Sequence, residues 1–296
     1  MKQMIMIVCM LSAASLFAEI PLINVPEIAK APELSAVIDE SFIQQAVKVE
    51  TQVNIKTGKA PENKTVFYLG RTRDALWIGA VCSLAGGGKI EAQACARDGA
   101  VYQDDAIEIF IAPDPQNTGD YFQFIANARG SIYDGRVYAS AWNGDWEVKT
   151  QVRESDWVAL VKIPFQTIGI GYSQGRLLRI NLCRDAKAVG KPLECSAWLL
   201  PGHHQPVGYL TLGGVDGGYF IKTFENEIKQ RGLAVETLAE KNRTWLKGAR
   251  ARLESFNRTL TPDEMPGALN AFKQASDELA PVATADAFDY IFPAGQ

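Results

Sequence analysis

Two histidines serve the whole 296-residue chain, and they are adjacent, at His203 and His204. A Ser–His–Asp relay would have to be built on one of them. No GxSxG, HExxH or P-loop motif occurs, so the common signatures of hydrolases, zinc proteases and nucleotide enzymes are missing. No CxxC spacing occurs either, which argues against a structural zinc site of the usual kind. Basic residues number 30 against 34 acidic ones, a formal net charge of -4, so the chain has no basic footprint for nucleic acid. Beyond the first eighteen residues no segment is long and apolar enough to span a bilayer.

Those first eighteen residues differ from the rest. Lys2 precedes the apolar run Met4 to Met10, and LSAASLFA follows. This is the pattern of a secretory signal peptide, residues 1–18, cut after Ala18, and it predicts a secreted or periplasmic protein. Cys9 lies in the run without a lipobox context. Four cysteines remain: Cys82, Cys95, Cys183 and Cys195. An even count in an exported chain predicts two disulfides. Of the three pairings, Cys82–Cys95 and Cys183–Cys195 join residues close in sequence that could bridge neighbouring strands.

Residues 19–35 are proline-punctuated and extended. From 36 to 212, runs such as KTVFYLG, ALWIGAVCSL, AIEIFIA, YFQFIANA and WVALVKIPF alternate with turn clusters such as GGGK, PDPQNTGD and NGD. Period-two alternation and β-branched and aromatic enrichment make these strands. SFIQQAVKV, after Asp39, reads as one short helix. The expected fold is mainly β, an antiparallel β-sandwich with an α-helical C-terminal extension. GGVDGG, residues 213–218, reads as a linker, and 219–296 as a helical hairpin. In its first helix Ile221, Phe224, Ile228, Val235, Leu238, Trp245, Ala249 and Phe256 fall near a 3.5-residue repeat. Thr261, Pro262 and Glu264 form the start of the second, with a capping box. The apolar stripe needs a partner, either the sandwich or another chain.

The strand QDDAIEIFIAPD raises the functional question. Ile107, Ile109 and Ile111 share one face; Glu108 and Phe110 share the other. A buried carboxylate costs several kcal/mol, roughly, unless it is paired or hydrogen-bonded. Glu108 therefore has a fixed partner or faces a groove. Gln123, Ile125 and Asn127 share a face of the next strand, so Glu108, Gln123 and Asn127 would form a polar row if the two strands are neighbours. Asp104, Asp105 and Glu108 could be cast as a glycosidase pair, but nothing fixes two of them at catalytic separation. Asp104, Asp105, Asp114 and Asp120 are oxygen donors near loops that would suit calcium, without EF-hand spacing. Trp77, Trp157 and Trp198 read as core. Trp142 and Trp146 flank the turn NGD, which would leave one of them exposed.

Taken in order, these segments resemble carbohydrate-binding module family 9 and its DOMON-related kin. PELSAVIDESFIQQA is similar to the family's opening "P-x-IDG-x-LDE-x-x-W-x-x-A". QDDAIEIFIAPD is similar to "DDSVEIFIDP", YFQFIANARGSIYD to "QF-x-VN-x-x-G", and DWVALVKIPFQTIGI to "W-x-x-E-x-x-IPF-x-x-LG". LLRINLCRD, SAW and PVGYLTL resemble the closing elements. The resemblance covers about residues 32–212, and the helical tail lies outside it. It implies a non-catalytic sandwich that binds glycan chain ends, often beside a glycoside hydrolase and often with structural calcium. It implies that Tyr102 is the first of two sugar-stacking rings and Glu108 the sugar-binding carboxylate. The second ring is missing from PGHHQPVGYL, where His203 or His204 would have to stand in. Ile125 replaces an arginine of the sugar-binding members, and Phe42 replaces a tryptophan. The expected glycan site is thus Tyr102, Glu108, Gln123, Asn127, Trp142, His203 and His204.

Two other readings remain open at this level. One is a structural or protein-interaction sandwich that has lost sugar binding and docks a partner, or a second copy, through its helical tail. The other is a haem domain, with His203 or His204 and a methionine as axial ligands. Met265 is the only methionine outside the leader region.

Overall fold

In this computed structural model, residues 20–85, 88–93, 96–171, 175–233 and 240–291 are described. The leader 1–18 and Cys95 lie outside them. Two sheets form the body. The first runs β1 (Leu22–Asn24), β13 (Gly208–Thr211), β11 (Leu177–Ala186), β6 (Ala106–Ala112), β7 (Phe122–Asn127) and β8 (Ile132–Arg136), with β12 (Glu194–Ala197) and β3 (Val53–Asn54) attached beside β11. The second runs β2 (Val47–Glu50), β4 (Thr65–Arg71), β5 (Ala75–Ser83), β10 (Asp156–Pro164) and β9 (Glu147–Val152). Apart from β1 against β13, the paired strands are antiparallel. The short helix α1 (Glu40–Gln45) covers only the first half of SFIQQAVKV, whose end, VKV, is strand β2.

The period-two pattern decides what lies between the sheets. Ile107, Ile109 and Ile111 of β6, Phe122 and Phe124 of β7, and Ile180 and Leu182 of β11 meet Phe67, Leu69, Ile78, Trp157 and Val161 of the other sheet. Each such side chain contributes about 1.5–3 kcal/mol on burial. Register is fixed accordingly: Ile109 lies opposite Leu182 and Phe124, and Glu108 opposite Cys183 and Ile125. A one-residue slip would drive Glu108 into this core.

One charged pair sits at the end of the core. Arg184 lies 2.6 Å from Asp105, and both side chains are fully buried. Trp157 Nε1 donates to Asp105 at 2.7 Å, and the Arg184 guanidinium stands 5.4 Å from the centre of the Trp157 ring. Asp105 is thereby a structural carboxylate. The other aspartates read as calcium donors also have protein partners. Asp104 accepts from Asn127 Nδ2 and the Gln93 N–H. Asp114 accepts from the Gln116 N–H, and Asp120 accepts two bonds from Arg136. Among the described residues, no three of these aspartates converge on one point.

The expected Cys183–Cys195 disulfide does not form. Both are free thiols, and so is the buried Cys82. β11 and β12 do pair, but Cys183 lies opposite Ala197, and Asp185 lies opposite Cys195. The two cysteines are diagonal neighbours, which sit about 7–8 Å apart in a sheet, beyond ordinary disulfide reach. Cys82 faces the core beside Arg184, where burial pushes its thiol up to about 12.

Among the described residues the tail holds three helices rather than a hairpin: α2 (Gly218–Gln230), α3 (Glu240–Glu254) and α4 (Met265–Ile291). The periodic stripe breaks because Gly232 adopts φ +68 and closes α2. The Leu233 N–H donates to the Ile228 carbonyl and the Gly232 N–H to Lys229, a Schellman cap. Val235 and Leu238 lie outside the described residues. GGVDGG is not a free linker: Val215–Asp216 (β14) pairs with Thr259–Leu260 (β15). A Cβ on Gly217 would collide with the Phe256 carbonyl. Glu264 accepts from the Thr261 N–H, one half of the expected capping box, but the Thr261 hydroxyl donates to the same carboxylate instead of accepting from the Glu264 N–H, and the helix begins at Met265. Phe220, Phe224, Leu246, Leu253, Leu269 and Phe272 form a second core that also packs on Leu22, Leu177 and Tyr209 of the sandwich. No helix among the described residues is long and apolar enough to cross a membrane.

Candidate functional site

The outer face of the first sheet carries the polar residues that the alternation excludes from the core. Glu108 on β6, Gln123 and Ile125 on β7, and Asp185 on β11 form a floor. Tyr102, on a single 3-10 turn before β6, and Tyr133, on β8, stand beside it. His203 and His204 enter from the loop after β12. Together with Leu193 and Cys195 these residues line a cavity of about 300 Å³. Asn181 on β11 positions that loop: its amide donates to the carbonyls of Leu199 at 2.9 Å and Gly202 at 3.1 Å.

Glu108 is 3% exposed. Gln123 Nε2 donates to its carboxyl at 3.0 Å. Burial first, and the neighbouring Asp185 second, push the Glu108 carboxyl well above the usual range. Asp185 is also raised, chiefly by burial. Two buried carboxyls side by side disfavour double ionisation, which is the second cause of the Glu108 shift. The Cys195 thiol is raised as well, by burial and by Asp185.

The two histidines divide their roles. His204, at φ 57, is packed between Phe110 and Tyr138, with ring centres 5.2 and 4.9 Å away, and Nδ1 is hydrogen-bonded to the Tyr121 hydroxyl at 2.8 Å. Burial lowers its pKa, and its packing makes it a structural ring at the groove edge. His203 turns its Nε2 toward Asp185 Oδ1, 3.4 Å away.

Five of the seven predicted site residues therefore line one cavity: Tyr102, Glu108, Gln123, His203 and His204. Tyr102 is 48% exposed, which suits a ring that meets a ligand. Two do not join them. Asn127 is fully buried; its Oδ1 accepts the Arg129 and Ser131 N–H groups and its Nδ2 donates to Asp104. It shapes the turn between β7 and β8 instead of extending the polar row. Trp142 packs against Phe122 and Phe124, on the core side of β7. Trp146 is buried beside Phe124. Met265 is buried in the helical core and is no axial partner for a groove histidine. The reading from sequence missed Tyr133, Asp185 and, as a groove residue, Cys195. Only the pairing of β11 with β6 and β12 brings the last two to Glu108.

No family model and no curated protein matches the sequence. Solved structures do match in shape. A family 9 carbohydrate-binding module from Caldicellulosiruptor kristjanssonii in complex with cellotriose aligns with a TM-score of 0.50 at 13% identity, over 64% of this chain and 92% of that one. A family 9 module from the same organism in complex with glucose gives 0.50 at 12%, over 64% and 94%. A candidate carbohydrate-binding protein from Bacteroides uniformis gives 0.52 at 13%, over 64% and 98%. The sandwich thus has the family 9-like carbohydrate-binding module fold. At these identities the likeness shows the fold alone.

Proposed function

We propose that the chain is a non-catalytic carbohydrate-binding module that takes a sugar chain end in the groove over Glu108. The observation that supports this is the exposed Tyr102 ring beside the buried Glu108–Gln123 pair, in a cavity of about 300 Å³, on a fold whose solved examples hold glucose and cellotriose. A pyranose has an apolar face that stacks on a ring and an edge of hydroxyls that needs paired donors and acceptors. Tyr102 offers the first. The Glu108 carboxyl and the Gln123 amide offer the second. Tyr133, on β8, supplies a second ring beside the same cavity. A cavity at the small end of ligand pockets suits a chain end better than the flank of a polymer. Export, supported by the leader pattern of residues 1–18, would put the module beside extracellular glycans and glycoside hydrolases.

Docking of a partner or a second copy through the tail is the less favoured reading, because Ile221, Phe224 and Ala249 of the apolar stripe are buried in the chain's own second core, with Ile228, Trp245 and Phe256 packed against it. Isothermal titration with glucose and cellotriose tests the proposal. Saturable heat that falls about tenfold in affinity in Tyr102→Ala, from the loss of roughly 1–2 kcal/mol of stacking, is the expected result. Equal binding by wild type and Tyr102→Ala would place the sugar elsewhere.

A further inference from the structure

Asp185 Oδ1 and His203 Nε2 face one another inside the groove, each buried and each without a hydrogen bond. Asp185 is 2% exposed. Buried polar atoms are rarely left unpaired, so two that face each other call for an explanation. Their separation is 3.4 Å, within ion-pair reach. A charge-assisted hydrogen bond between imidazolium and carboxylate would close to about 2.8 Å. A tetrahedral metal with ligands about 2.0–2.1 Å away would instead hold an N–O edge of roughly 3.3 Å. The observed distance matches the second arrangement.

A third donor lies beside the pair. Cys195 lies opposite Asp185 in the β11–β12 register, and one donor atom each from Asp185, Cys195 and His203 fall within 4.8 Å of one another. We propose that Asp185, Cys195 and His203 form a binding site for a zinc-like divalent metal on the floor of the groove. One thiolate, one imidazole and one carboxylate select zinc, cobalt or nickel over calcium, which takes six to eight oxygens. Two anionic ligands offset the charge of the ion, and the Cys195 proton is released when it binds. Asn181 acts at one remove, holding the loop that presents His203. Three protein donors leave a fourth tetrahedral position open to the groove, where water or a ligand hydroxyl would sit. The site stands independently of sugar binding and is tested without sugar.

The test is a titration of the tag-free, reduced full chain with cobalt(II), followed by absorption, with zinc as competitor. One equivalent of cobalt should bind, with a near-ultraviolet thiolate-to-cobalt band that zinc abolishes and calcium leaves intact. Cys195→Ser should lose the band and weaken binding roughly 100-fold. His203→Ala should weaken binding similarly, and its partly exposed side chain makes it the variant that decides if Cys195→Ser does not fold. Cys183→Ser should keep the band. A wild type that binds cobalt no more tightly than His203→Ala, or a band that survives Cys195→Ser, would overturn the proposal.

Discussion

Gln123 Nε2 donates to Glu108 Oε2 at 3.0 Å, between two buried side chains on adjacent strands. They are diagonal neighbours, since Gln123 lies opposite Phe110 and Glu108 opposite Ile125. Among the described residues the amide is the side-chain donor on Glu108, so its removal reports on both stability and ligand. Gln123→Ala should cost about 1–3 kcal/mol in urea unfolding. Sugar affinity should fall about tenfold in the same variant. Unchanged affinity would remove Gln123 from the binding edge.

The Asp105–Arg184 pair is expected to matter more for stability than any groove residue. Arg184→Met leaves a fully buried carboxylate without its counter-charge and should cost about 3–5 kcal/mol. Asp105→Asn combined with Arg184→Met should recover part of that loss, because no uncompensated charge remains. Denaturant titration of the two variants checks this. A single-variant cost below about 1 kcal/mol would mean that water reaches the pair.

The thiol state is directly measurable. Peptide mapping after alkylation of the unreduced, unfolded protein should show Cys183 and Cys195 each modified in full. A linked Cys183–Cys195 peptide would contradict the diagonal register of β11 and β12.

Acid should loosen the start of α4. Glu264 accepts from Arg258 and from the Thr261 N–H, and these partners lower its pKa to about 2 from an ordinary 4.5. A carboxyl lowered by folding stabilises the folded state above its unfolded pKa, and the contribution is lost as pH falls. Wild-type Tm should therefore decline between about pH 4.5 and pH 2 more steeply than that of Glu264→Gln. Parallel curves for the two proteins would show that the capping contacts contribute nothing.

Much of this was legible in the sequence. Alternation placed Ile107, Ile109 and Ile111 in the core and turned Glu108 outward, and it put Gln123 on the face that meets Glu108. What local patterns could not supply was long-range pairing. Asp185 and Cys195 reach Glu108 only because β11 joins β6 and β12, and nothing within RINLCRDA states that register. Asn127 was misread because its strand parity is right but its chemistry is that of a turn. The NARGS stretch, with Gly130 at φ +83, carries that signal. The hairpin expectation failed for a similar reason. A 3.5-residue stripe continues through Arg231 on paper, whereas Gly232 ends the helix in fact.

The measurement that tests the central claim most directly is a glycan array probed in parallel with wild type and Tyr102→Ala. The variant changes a ring that is 48% exposed and should leave the fold intact. Wild type should be retained on a class of glycans sharing one chain end, and the variant should lose that retention while melting at the same temperature. Retention of both proteins on the same glycans, or of neither on any, would contradict a sugar site over Glu108.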